Sequence, residues 1–115
     1  MATGSTRRPS KETPIAAVTA CPVERAIHVI GGRWKLLLLR SLLLNGAQGY
    51  NELLASVRGI SAKELTRNLG ELAAAGLVAR GAVGPATYSL SEAGQGLMPT
   101  FESLLVWGQK ALPLG

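Results

Sequence analysis

Arg58-Gly59-Ile60-Ser61-Ala62-Lys63-Glu64-Leu65-Thr66-Arg67-Asn68-Leu69 is followed, after residues 70–74, by Ala75-Gly76-Leu77-Val78. Arg58-Gly59-Ile60 reads as a tight turn. Ser61 can cap a helix through its side-chain oxygen, and Glu64, three residues on, can reach back to complete a capping box. Leu65, Leu69, Leu72 and Ala73 then recur at helical spacing and form a buried stripe. Gly76 suits the left-handed position that stops a helix, and Leu77-Val78 starts a strand. A turn, a capped amphipathic helix, a Gly stop and a strand together describe the second half of a helix-turn-helix running into a wing. Such modules place this helix in the DNA major groove.

The flanking sequence fits the same pattern. Residues 50–57 form a shorter helix with Tyr50, Leu53, Leu54 and Val57 inward. Before it, residues 33–44 form a helix with Trp34, Leu37, Leu38 and Leu42 in the core, stopped by Asn45-Gly46. Pro22 opens an earlier helix, where its missing N–H costs nothing. Val23, Ala26, Ile27 and Ile30 share one face of it, and Gly31-Gly32 ends it. After the central helix, residues 77–80 and 86–90 read as strands, with Gly81, Gly84 and Pro85 at the tip of the hairpin between them. Ser91-Glu92 opens a final helix carrying Leu97, Phe101, Leu104, Leu105, Trp107 and Leu112. Pro99 kinks this helix or splits off its first turns. The predicted fold is mainly α (α+β): a winged helix-turn-helix with a two-stranded β-hairpin wing.

The predicted domain covers residues 21–115. Residues 1–20 are rich in Ser, Thr, Pro and Ala, show no period and read as a flexible basic arm. Its Arg7, Arg8 and Lys11 either touch phosphate or are simply solvated. At 115 residues the chain is long enough for one domain and not two. Aromatics are only 4 %, so the core must be Leu, Ala, Val and Ile. A core of this size gains from dimerisation.

A formal charge of +5 favours polyanions. Anionic membranes would also attract it, so charge alone does not select nucleic acid. Cys21 is the single cysteine, which precludes an intramolecular disulfide and fits a reducing cytosol. No signal-peptide pattern appears. The greasiest stretch, residues 36–44, is broken by Arg40 and too short to span a bilayer. A cytoplasmic protein without a membrane partner is expected.

Enzyme chemistry has little support. His28 is the only histidine and the chain has no Asp. There is no Cys/His cluster for zinc and no Gly-rich phosphate loop with its Lys. No catalytic residue, metal or cofactor is expected.

With the leucines inward, the outer face of the central helix carries Ser61, Lys63, Thr66, Arg67 and Gly70, with Asn68 on its flank. Their hydroxyl, amide, ammonium and guanidinium groups are those that bond base edges and phosphates. The helix N-terminus adds a positive dipole end. An ordinary surface helix carries similar residues. The turn before this one and the hairpin after it favour double-stranded DNA as the partner.

Cys21-Pro22-Val23-Glu24, Ile30-Gly31-Gly32-Arg33-Trp34-Lys35, Tyr50-Asn51-Glu52-Leu53, Gly59-Ile60-Ser61, Leu65-Thr66, Leu72, Gly76-Leu77-Val78, Tyr88-Ser89-Leu90-Ser91 and Gly94 together resemble the HxlR family of bacterial transcriptional regulators, over about residues 21–110. The resemblance implies a dimeric winged-helix regulator on a pseudo-palindromic operator, acting as repressor or activator. The dimer would be built largely from the terminal helices, here residues 23–30 and 97–112, with Trp107 in the interface or in the subunit's own core. Two-fold symmetry would set the two reading helices about one DNA turn apart. The resemblance places Arg33 and Lys35 near the DNA or the domain centre; the alternative is that both are simple surface charges, and Trp34 reads as structural.

Two departures from the family stand out. Gly70 occupies a position where members usually carry a basic residue. The tip at residues 81–86 is short and neutral where the family's wing is longer and bears Arg, leaving Arg80 at its base to substitute. Cys21 matches a cysteine that some members use to sense oxidants or electrophiles. It is either such a sensor thiol, favoured by its place at a helix N-terminus, or a small packing residue. An effector, a small molecule or an electrophile, is implied without being identified. A different class also fits: a winged-helix protein–protein interaction module with weak or no DNA binding, favoured by Gly70 and the neutral wing.

Overall fold

A computed structural model describes residues 20–114. The arm cations Arg7, Arg8 and Lys11 lie outside the described residues. The chain divides at Gly31/Gly32 into two compact units.

In the first unit, Pro22–Ile30 forms α1, with Pro22 in its first turn. The Gly31 N–H closes it on the Ile27 carbonyl at 2.7 Å. No residue of α1 is buried. The expected apolar face exists, but Val23 and Ile27 lie open and Ile30 is half-buried.

The second unit runs α2 (Arg33–Asn45), β1 (Gln48–Gly49), α3 (Tyr50–Ser56), α4 (Ala62–Ala74), β2 (Val78–Arg80), β3 (Thr87–Leu90), α5 (Glu92–Gln95) and α6 (Met98–Ala111). Leu38 and Leu39 of α2, Leu53 of α3, and Leu65 and Leu72 of α4 are its largest fully buried side chains. Three helices thus meet on one leucine cluster, as one-sided apolar stripes require.

The inward face of α2 differs from expectation. Leu39 is buried, while Leu37 is 37 % exposed and Trp34 only half-buried. Leucines surround this helix on every side, so periodicity cannot choose a face. Ser41 marks the inward side instead. Its hydroxyl pairs with the Ser56 hydroxyl at 2.8 Å and accepts from buried Gln48 Nε2 at 3.0 Å, tying α2 to α3 and β1. On α4, Ala73 is exposed, and Leu65, Leu69 and Leu72 suffice for the stripe.

The sheet has three antiparallel strands in the order β1-β3-β2, not two. Val78 faces Leu90 and Arg80 faces Tyr88 in the hairpin, while Gln48 faces Tyr88 on the other side of β3. Two residues, one of them Gly, give β1 no strand signature; its pairing depends on the tertiary fold. At the tip, Gly81 N–H donates to Thr87 O at 2.8 Å.

Pro99 stands in the first turn of α6, so the final helical stretch is split into α5 and α6. Ser91 caps α5 by accepting from Gly94 N–H at 3.1 Å, and its hydroxyl donates to Gly76 O at 2.6 Å. No residue of α6 is buried. Trp107 is 57 % exposed, with Leu104, Leu105 and Val106 also open, so Trp107 does not belong to the subunit's own core. Among the described residues, no helix is long and apolar enough to cross a membrane, and no group of His, Cys, Asp or Glu could hold a metal ion.

Candidate nucleic-acid interface

The turn from α3 into α4 depends on Gly59, whose φ of +88° lies in the left-handed region. Ile60 then buries itself and Ser61 takes the N-cap position. Glu64 N–H donates to Ser61 Oγ at 3.1 Å, and Ser61 N–H donates to Glu64 Oε1 at 3.1 Å. This is the capping box the sequence predicts. Ser61 itself is exposed at this end of the helix.

At the other end, Gly76 has a φ of +80°. Its N–H bonds Ala73 O and the Leu77 N–H bonds Leu72 O, both at 3.0 Å. That reciprocal pair is the Schellman stop, and it aims the chain directly into β2.

Between its caps, α4 is braced on both flanks. On the α2 side, Trp34 Nε1 donates to Glu64 Oε2 at 3.0 Å and Lys35 Nζ donates to Glu71 Oε1 at 2.5 Å. On the α3 side, the Tyr50 hydroxyl donates to Ala62 O at 2.9 Å and also lies 2.9 Å from Thr66 Oγ1. A phenol has one proton. With that proton on Ala62, Thr66 is the donor to Tyr50 and presents acceptor lone pairs outward.

The carboxylates on the α2 flank are both held ionised. The Ser61 backbone N–H beside Glu64 lowers its pKa below the ordinary value, helped by the Ser61 hydroxyl and Trp34. The hydrogen bond from Lys35 does the same for Glu71, and the charges of Lys35 and Arg67 reinforce it.

The face left open carries Lys63, Thr66, Arg67 and Gly70, all exposed. Arg67 Nη1 lies 3.6 Å from Glu71 Oε2. Among the described residues, Lys63 enters no ion pair. Arg80, at the base of the wing, stacks its guanidinium 5.9 Å from the Tyr88 ring centre, and Arg33 lies 4.4 Å over the Trp34 ring.

Two of the expected contact residues are differently placed. Asn68 is 3 % exposed and donates to the Glu64 carbonyl at 2.7 Å; it falls between Leu65 and Leu72 on the inward side, out of reach of DNA. Lys35 has a side chain only 16 % exposed and is committed to Glu71. Sequence reading overlooked Tyr50 as a clamp and Glu71 altogether. For Glu71 a signal existed: it stands four residues after Arg67, the spacing of a helical ion pair. Cys21 is exposed at the N-cap of α1, so it is not a buried packing residue.

The model of the HxlR-like helix-turn-helix family matches residues 29–114. YkvN of Bacillus subtilis strain 168, named an uncharacterised HTH-type transcriptional regulator, is 40 % identical over 93 residues, covering 77 % of this chain and 78 % of its own. Among solved structures, quinone-bound YodB from B. subtilis superposes with a TM-score of 0.70 at 30 % identity, covering 78 % of this chain and 99 % of YodB. The redox regulator HypR in its reduced form gives a TM-score of 0.68 at 36 % identity, over 78 % of this chain and 92 % of HypR. With a family model matched over most of its length and a relative at 40 % identity, the chain belongs to the HxlR-like helix-turn-helix family of winged-helix transcriptional regulators.

Proposed function

We propose that this winged-helix transcriptional regulator binds a pseudo-palindromic DNA operator as a homodimer, with α4 of each subunit in the major groove. The observation that carries the reading is the state of α4. Both of its flanks are bonded to neighbouring helices, while Lys63, Thr66 and Arg67 remain on an open face. Bracing of this kind fixes the helix pose, which sequence readout by bidentate side chains needs. Ser61, at the helix N-terminus, adds a phosphate donor. Arg80 supplies the only cation at the base of an otherwise neutral wing.

The second subunit is called for by α6. An apolar helix face left open among the described residues is an interaction surface, and a self-complementary patch closes a two-fold dimer.

Cys21 is the thiol through which oxidants or electrophiles act on the protein. HypR is described as a redox regulator and YodB is solved with a quinone bound, and Cys21 is exposed here. With one cysteine per chain, the chemistry available is an intersubunit disulfide, a mixed disulfide or an adduct. Diamide should release DNA from the wild type and not from Cys21→Ser; equal release from both overturns the sensing role.

The test of DNA binding is selection from a randomised duplex library, then fluorescence anisotropy on the selected duplex and a scrambled one at two salt concentrations. A two-fold symmetric selected site, bound far more tightly than the scramble, is expected. No enrichment and no binding at either salt overturns the reading.

A further inference from the structure

Glu71 sets an acidic group among the cations of a face that meets a polyanion. Its carboxylate accepts from Lys35 Nζ at 2.5 Å, lies 3.6 Å from Arg67 Nη1, and remains 47 % exposed. A cation already paired with a carboxylate gains less from a phosphate than a bare cation does. The contact must either break the pair or bring phosphate against the carboxylate. Every duplex offers phosphates at every step, and neutralising them supplies sequence-independent affinity. The O6 and N7 acceptors of guanine carry no net charge, so Glu71 repels them far less. An Arg67 held toward one pose also loses less freedom on meeting a base.

We propose that Glu71 is a specificity-determining residue: by restraining Arg67 and neutralising Lys35, it disfavours phosphate-only contacts more than it disfavours base contacts. This rests on the DNA-binding reading above and extends it, since the same face could bind DNA without such a filter.

The test is Glu71→Gln, which keeps the side-chain length and an acceptor for Lys35 while removing the charge. Binding is measured on the selected and scrambled duplexes across a salt series. Affinity for the scramble should rise about tenfold near 0.1 M salt, and its salt dependence should steepen by about 0.9 for each phosphate newly neutralised. Affinity for the selected duplex should rise less than about threefold, so the ratio between the two duplexes falls. Adding Arg67→Gln to Glu71→Gln should cancel most of the gain on the scramble. As an independent check, Lys35→Gln leaves the carboxylate unneutralised and should weaken the scramble more than the selected duplex. A merely structural role for Glu71 would lower both affinities together and leave the salt slope alone. An unchanged ratio in Glu71→Gln overturns the inference. Wild-type protein that does not discriminate the two duplexes overturns the DNA-binding reading itself, and this inference with it.

Discussion

Helices α4 and α6 differ in how their surfaces are completed. On α4, Leu65, Leu69 and Leu72 are buried, both polar flanks are bonded to α2 and α3, and both ends are capped. On α6, Leu104, Leu105, Val106 and Trp107 stand open and no residue is buried. Among the described residues, one helix is packed and bonded on its inner face and flanks, and the other is left open along its apolar face. For the proposed DNA-reading dimer that division is what the reading requires: a helix rigid before it meets DNA and a helix completed by a second copy.

The largest test of this contrast is truncation on each helix. Leu72→Ala should destabilise the fold by about 2–5 kcal/mol, the range for a fully buried leucine, measured by urea unfolding. Trp107→Ala should leave the secondary structure intact and weaken self-association by about 2 kcal/mol, read by sedimentation equilibrium. If Trp107→Ala collapsed the fold while leaving the oligomer unchanged, the contrast would be reversed.

Tyr50→Phe sharpens the account of the α3-side brace. It removes both hydroxyl bonds to α4 and should cost about 1 kcal/mol per bond lost at most, with a matching drop in affinity for the selected duplex. Full retention of stability and affinity would show the brace to be idle.

Gly70→Ala has the opposite sign. A Cβ at Gly70 meets nothing within 4 Å, and replacing a helical Gly by Ala should stabilise by about 1 kcal/mol, visible as a raised urea midpoint.

The smallest effect is on pH. Glu64 and Glu71 both have lowered pKa values, the first through the Ser61 backbone N–H and the second through Lys35. A depressed carboxylate contributes stability while ionised. That contribution is full above the unfolded pKa of about 4.3 and is lost as pH falls through the lower folded value. Wild type should therefore exceed Glu71→Gln slightly in stability at neutral pH, and the two should converge as the pH falls below the depressed folded value. A gap that widened on acidification would contradict the assigned ion pairs.

How legible each feature was in the sequence follows from whether its cause is local. The capping box at Ser61 and Glu64, the stop at Gly76, the hairpin and the break at Pro99 all depend on residues a few positions apart, and sequence reading found them. The inward face of α2 did not yield, because leucines on every side erase its periodicity. β1 was invisible because two residues acquire strand character only by lying against β3. At the site, Lys63, Thr66 and Arg67 were legible as an outward polar stripe. Asn68 was misplaced because it sits at the border of that stripe, where one helical step decides between solvent and the Glu64 carbonyl. The clamps from Trp34, Lys35 and Tyr50 cross between helices, and no spacing along the chain encodes them.

The central claim is that α4 reads DNA sequence, and Arg67 is the residue on which it is most directly tested. Anisotropy should compare wild type and Arg67→Ala on the selected duplex and on duplexes with each base pair replaced in turn. Loss of about 1–3 kcal/mol on the selected duplex, with discrimination erased at one base pair per half-site and retained elsewhere, is the expected result. Equal affinities of the two proteins for every duplex would contradict the account.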